Sequence, residues 1–180
     1  SVIPCEWKDH KLNIVDTPGY ADFVGEVVEG FRVVDSAVII LCAVNGLEVG
    51  TEQAWRLADQ RAMPRLAVIS RVDRENADFD RVVGQMRDKF GASVVPIQLP
   101  IGSQDKFLGV VDLISMKALM GAKGEESPIP SALLDAAKSA REKVVEAAAE
   151  SDDALIEKYL GGEELSTAEV VAGLRKAILA

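Results

Sequence analysis

Hydrophobic and polar positions change rhythm along this chain, and the changes divide it into elements. Residues Val2 to Trp7 and Lys11 to Asp16 are short strand-like runs separated by Lys8-Asp9-His10, which predicts a β-hairpin with His10 as a solvated turn residue. From Asp22 to Val34 the residues Phe23, Val27, Val28, Phe31 and Val34 fall at helical spacing. Ala37 to Cys42 is apolar without interruption, the pattern of a strand buried on both faces, with Cys42 as a small core residue. The loop Val44 to Gly50 leads into a helix from about Thr51, a good N-cap, to Arg61, with Pro64 as the stop. Leu66 to Ile69 predicts a second buried strand, running into Ser70-Arg71-Val72-Asp73. Asp78 can cap the next helix, with Phe79, Val82, Val83, Met86 and Phe90 inward and Gly91 as its end.

After Gly91 the pattern changes. Val94 to Leu99 and Phe107 to Leu113 predict strands, with Pro100 to Ser103 as the turn between them, and Gly121 to Pro130 reads as a loop or linker. Three helices follow. The first, Ser131 to Glu150, carries Leu133, Ala137, Ala140, Val144 and Ala148 on one face. The second, Asp152 to Leu160, ends on Gly161-Gly162. The third opens on a capping box, Ser166 with Glu169, flanked by Leu165 and Val170 as a hydrophobic staple.

Strands alternating with helices, with two continuously apolar strands, predict an α/β fold. In such sheets ligands sit beyond the carboxyl ends of the strands. Asp16, Asn45 and Asp73 each follow a strand, so polar groups collect at that edge. Asp16-Thr17-Pro18-Gly19-Tyr20 has the chemistry of a metal-and-phosphate turn. A carboxylate can hold Mg²⁺, and a glycine N–H can approach a phosphate with no Cβ in the way. The alternative for Asp16 and Asp73 is turn and cap chemistry at strand ends.

Composition narrows the function classes. A net charge of −9 argues against broad or sequence-specific nucleic-acid binding. Cys5 and Cys42 lie far apart with no clustered histidine, which excludes a disulfide framework or a zinc site from the spacing. No apolar run reaches membrane-spanning length and no signal peptide is visible, so no membrane partner is expected and the expected compartment is cytoplasmic. From Glu142 to Glu169 nine acidic residues face two lysines, which reads as a solvated helical face or as a docking surface for a basic partner. Gly25-x-x-x-x-Gly30-Phe31-Arg32 is not a phosphate-binding loop, because Lys-Ser/Thr is missing and no strand precedes it. The stretch from Asp73 to Asp80 lacks the glycine and distal glutamate of a calcium loop. Neither end reads as a natural terminus, so an excised piece of a larger protein is expected.

Asp16-Thr17-Pro18-Gly19 and Ser70-Arg71-Val72-Asp73 resemble the Asp-x-x-Gly and Asn-Lys-x-Asp motifs of GTP-binding proteins. Phe31 to Asp35, Cys42-Ala43-Val44-x-Gly46, Val110 to Leu113 and Glu157 to Leu165 are similar to bacterial elongation factor G, and the similarity runs over essentially the whole chain. It implies an incomplete GTPase sheet with flanking helices over residues 1–91, followed by an α+β inserted subdomain over 92–180. It implies a ribosome-associated GTPase that binds GTP or GDP with Mg²⁺ and couples hydrolysis to translocation in the full-length protein. The ribosome and a ribosomal stalk protein would be its partners. Asp16 would hold the Mg²⁺ shell, Gly19 would sense the γ-phosphate, and residues 20–34 would form the second switch. Thr17 and Pro18 would complete that loop, and Ser70, Arg71, Val72 and Asp73 would hold the base, with Asp73 accepting from guanine N1–H and N2–H₂.

Three departures change the expectation. Tyr20 stands where the family has a histidine that positions the attacking water. A phenol cannot become a cation near neutral pH, so slower or differently triggered hydrolysis is expected. Ser70-Arg71 replaces Asn-Lys, which keeps a hydroxyl and a flat cation but loses an amide. The phosphate-binding loop Gly-x-x-x-x-Gly-Lys-Ser/Thr and the first-switch threonine are absent, so the isolated chain is expected to bind no nucleotide tightly and to be inactive. Its open sheet is expected to favour self-association.

Overall fold

The computed structural model describes residues 1–179. Two compact units emerge. The first comprises 1–40 and 48–68, and the second comprises 41–47 and 69–180.

The first unit opens with β1 (Val2–Trp7) and β2 (His10–Val15), an antiparallel pair whose register runs from Val2 opposite Val15 to Trp7 opposite His10. Lys8 and Asp9 connect them with φ of 46° and 62°, the left-handed pair that a two-residue hairpin turn requires. His10 is therefore the first residue of β2 rather than a turn residue, and its ring nitrogen Nδ1 lies 2.7 Å from Lys8 O. A 3₁₀ turn (Ala21–Phe23) leads into α1 (Val24–Phe31), and the predicted helix is shorter at both ends. The helix α2 (Val49–Gln60) begins two residues before the predicted Thr51, which lies buried in its first turn, and Glu48 takes the N-cap position.

Two strands, β3 (Ala37–Cys42) and β4 (Arg65–Ser70), pair with each other. Ala37 N–H donates to Pro64 O at 2.9 Å, and Ala43 N–H donates to Ser70 O at 2.9 Å. The partners advance together along both strands, so the pair is parallel, with α2 as its crossover. The expectation of strands buried on both faces is corrected here. Ile39 and Leu41 are buried, but Val38 is 62% and Ile40 68% exposed, and Leu66 and Val68 are also exposed. One face of the pair is covered and the other is open.

The second unit contains α3 (Phe79–Phe90), which begins and ends as predicted. Asp78 Oδ1 accepts from Arg81 N–H at 2.9 Å, and Gly91 sits at φ 101°. A four-stranded antiparallel sheet follows, in the order β5 (Gln98–Ile101), β6 (Gly109–Asp112), β7 (Lys117–Met120), β8 (Glu125–Ser127). It corrects two expectations. Pro100 and Ile101 belong to β5, and the turn lies after them. The stretch Gly121–Pro130 is not all loop, since it supplies β8. Helices α4 (Leu134–Ala149), α5 (Asp153–Leu160) and α6 (Thr167–Leu179) complete the unit. Val111, Leu113, Ala118, Ala137, Val144, Ala148 and Val170 are fully buried in one cluster, which contains the predicted inner face of α4. The capping box is formed as expected. Glu169 Oε2 accepts from Ser166 N–H at 2.7 Å, and Ser166 Oγ accepts from Glu169 N–H at 3.3 Å.

Candidate nucleotide-binding loops

The first candidate loop leaves the end of β2. Asp16 N–H donates to Ser1 O at 2.8 Å, which keeps the backbone extended up to the carboxylate, and the side chain is exposed. Thr17 and Pro18 are half-buried, while Gly19 and Tyr20 are exposed, Tyr20 at 79%. Tyr20 O accepts from Phe23 N–H at 3.0 Å and so starts the 3₁₀ turn. Gly30 of α1 is buried against this loop. A Cβ there would lie 2.9 Å from the Thr17 methyl, so a glycine lets α1 approach Thr17. Nothing lies within 4 Å of where a Cβ on Gly19 would sit.

The second candidate loop leaves the end of β4. Ser70 is half-buried, and its hydroxyl donates to Leu41 O at 2.9 Å. Arg71 has φ 58° and is exposed, Val72 is half-buried, and Asp73 is exposed. Arg74 N–H returns to Arg71 O at 3.2 Å, and Gln104 N–H donates to Val72 O at 2.9 Å. The loop is thus pinned on both sides of an outward carboxylate. The Ser70 hydroxyl proton is engaged with the neighbouring strand. The two candidate loops lie in different units, and each is described by itself.

Beside the second loop, Cys42 is half-buried rather than a core residue. The Asn45 N–H hydrogen-bonded to its sulfur holds the thiol below its ordinary range, with burial opposing, and the Val44 N–H and the Arg71 guanidinium act in the same direction as Asn45. Arg81 was also missed. Its Nη2 donates to Ala43 O at 3.0 Å and to Val44 O at 2.7 Å. The only sequence signal was an arginine three residues past a helix cap, which is ordinary.

Among the described residues there is no cluster of three or more His, Cys, Asp or Glu side chains that could enclose a metal. That fits Mg²⁺, which takes one or two protein carboxylates and completes its octahedron with phosphate oxygens and water. Asp16, exposed at a strand end, is a suitable single ligand. No helix of the described residues is long and apolar enough to cross a membrane.

The profile described as the elongation factor Tu GTP-binding domain matches residues 1–174. The chain belongs to this family. It is an α/β GTPase-type domain of the translational group, which implies guanine nucleotide binding. A crystal structure of a protein from Thermus thermophilus is 32% identical with a TM-score of 0.89, and the match covers 99% of this chain. The chain spans 27% of the length of that Thermus protein.

Proposed function

We propose that this GTPase-family chain is the part of a ribosome-associated translation factor, similar to elongation factor G, that carries the second switch and the guanine-recognition loop. The observation that carries the reading is the placement of Asp16-Thr17-Pro18-Gly19 at the end of one strand and of Ser70-Arg71-Val72-Asp73 at the end of another, in a chain matched over residues 1–174. On this reading residues 1–91 form the partial nucleotide domain and residues 92–180 an inserted subdomain. The full-length protein binds GTP or GDP with Mg²⁺ in the cytoplasm and couples hydrolysis to translocation.

The chain's own groups divide the work. The Asp16 carboxylate holds the metal shell, and the Gly19 N–H meets the γ-phosphate. The Asp73 carboxylate accepts two hydrogen bonds from the guanine edge, which adenine cannot supply. Arg71 lays a cationic plane beside the base. Tyr20 orders water through its hydroxyl, which can both donate and accept a hydrogen bond. Single-turnover hydrolysis by the full-length protein on ribosomes tests this. Tyr20→His is expected to raise the rate; equal stimulated rates would sink the role given to Tyr20. For the 180-residue chain by itself calorimetry is expected to detect no micromolar GTP binding, since the phosphate-binding loop is not in it.

A second reading is favoured by the surface of the helical part. Glu142, Glu146, Glu150 and Glu157 are exposed on α4 and α5, whereas Asp152 and Glu169 are tied to Lys176 and Lys158 at 2.8 Å. On this reading the helices dock the basic surface of a ribosomal stalk protein. Reversing Glu146, Glu150 and Glu157 to lysine should abolish capture of the stalk's C-terminal domain. Retained capture would remove the reading.

A further inference from the structure

We propose that Arg81 is a positioning residue for the guanine-recognition loop, an inference that rests on the nucleotide-binding reading above. Arg81 lies in the first turn of α3, whose Asp78 cap fixes its backbone. Its guanidinium Nη2 bridges two consecutive carbonyls of the turn after β3, Ala43 O at 3.0 Å and Val44 O at 2.7 Å. Asp78 N–H donates to Ala43 O as well, at 3.0 Å, and Gln85 Oε1 accepts from Leu47 N–H at 3.1 Å. Two residues of α3 and its cap therefore hold both ends of the turn 43–47.

The turn is packed closely against α3. Ala43 is fully buried. Gly46 has φ 77°, and a Cβ there would lie 2.2 Å from Gln85 Oε1 and 2.9 Å from Arg81 Nη1. A side chain is disfavoured by the backbone conformation and would have to displace the tips of both clamping side chains.

The clamped turn is bonded directly to the candidate base loop. Ala43 N–H donates to Ser70 O at 2.9 Å, and Ser70 Oγ donates back to Leu41 O at 2.9 Å. The residue whose carbonyl Arg81 grips is thus the residue whose amide grips Ser70, three positions before Asp73. Asp73 is exposed, so side-chain packing does not aim its carboxylate. Its direction comes from the anchors of its loop. A carboxylate that must accept two hydrogen bonds from one base edge depends on angular placement, so loosening those anchors costs selectivity rather than phosphate affinity.

The experiment compares binding of fluorescent GDP and inosine diphosphate to the full-length protein and its Arg81→Met and Arg81→Lys variants. Inosine lacks the 2-amino group, so the ratio of the two affinities reads the alignment of Asp73. The ratio is expected to fall by about tenfold in Arg81→Met, the size of one charge-assisted hydrogen bond lost. Arg81→Lys, which keeps the charge and several donors on one nitrogen but has a shorter reach, should restore part of it. Equal weakening of both nucleotides with the ratio intact, or no change in either, overturns the proposal. If Arg81→Met does not fold, the lysine variant decides by the same ratio. Hydrogen exchange in the 180-residue chain gives a readout without nucleotide. The amides of Ala43 and Gln104 should exchange faster in Arg81→Lys, and unchanged protection counts against the clamp. A parent protein that does not discriminate between guanine and inosine overturns the nucleotide reading and this inference together. A selective parent whose variants stay equally selective overturns this inference alone.

Discussion

The same substitution, glycine to alanine, should have opposite signs at two helical positions of the second unit. Gly173 lies in α6 where that helix crosses α4. An ideal Cβ there would sit 2.4 Å from the Ala148 carbonyl oxygen, 2.9 Å from its carbon and 3.0 Å from the Ala148 Cβ. A carbon rests about 3.3 Å or more from such an oxygen, so the helices must part by roughly 1 Å, and the obstacle is backbone that cannot rotate away. Overpacking of this kind costs about 1–3 kcal/mol. Ser151 Oγ lies 2.8 Å from both Ala148 O and Gly173 O, so parting the helices also stretches the hydroxyl that links them. Against this, alanine gains about 1 kcal/mol of helix propensity. The net for Gly173→Ala is a loss of up to about 2 kcal/mol. Gly84 in α3 has nothing within 4 Å of the position of a Cβ, so only the propensity gain remains, and Gly84→Ala should stabilise by about 0.4–1 kcal/mol. Urea unfolding of the 180-residue chain followed by circular dichroism reads both as shifts of the midpoint in opposite directions. The close-crossing argument is refuted if Gly173→Ala unfolds at the same or a higher urea concentration than the parent.

Acid should weaken the helical part through Glu169 as well as through Asp152, which its hydrogen bond with Lys176 also holds below the usual carboxylate range. The Lys158 ammonium, with the Ser166 hydroxyl and N–H behind it, holds Glu169 well below its ordinary 4.5, at about 2. A depressed folded value means stability that is complete above 4.5 and lost as pH falls towards 2, so Glu169→Gln, which can still cap, should remove that part of the acid limb. A parent-to-variant difference that stays constant across this range would contradict it. Separately, if the chain associates in sedimentation, Val38→Thr with Ile40→Thr should reduce that association, because these two exposed side chains lie on the open face of β3. A monomeric parent, or association unchanged in the variant, would contradict the expectation.

How far the sequence could be read depends on where each residue's partner lies. The Asp78 cap and the capping box were legible because their partners are three residues away, Arg81 and Glu169, whereas the expected Thr51 cap was displaced by Glu48. The strand β8 was hidden because Glu125-Glu126-Ser127 has no strand propensity. Its extended form rests on pairing with β7, where Lys117 also forms an ion pair with Glu126. The apolar run Ala37–Cys42 located β3 to the residue but overstated its burial. An uninterrupted run says that both faces suit a cover, and this chain covers only the side of Ile39 and Leu41.

The site divides along the same line. Asp16 and Asp73 were legible as exposed carboxylates at strand ends, but the single sheet edge expected to collect them is not formed, because β2 pairs only with β1 in an antiparallel hairpin while β4 pairs with β3. The Ser70 bond to Leu41 was not legible, since that partner is 29 residues away in the sequence. Arg81 was invisible for the same reason, its carbonyl partners lying 37 and 38 residues back. A motif shows which atoms could meet a ligand, but the groups that aim those atoms are long-range. On the function proposed above, the Ser70 hydroxyl serves the strand beneath the loop and base selection concentrates on Asp73. If that is right, Ser70→Ala should lower the stability of the chain by about 1 kcal/mol, the value of one hydrogen bond, while Asp73→Asn should leave stability unchanged and abolish the preference of the full-length protein for guanine. Loss of stability in Asp73→Asn, with selectivity kept, would reverse the assignment of the two residues.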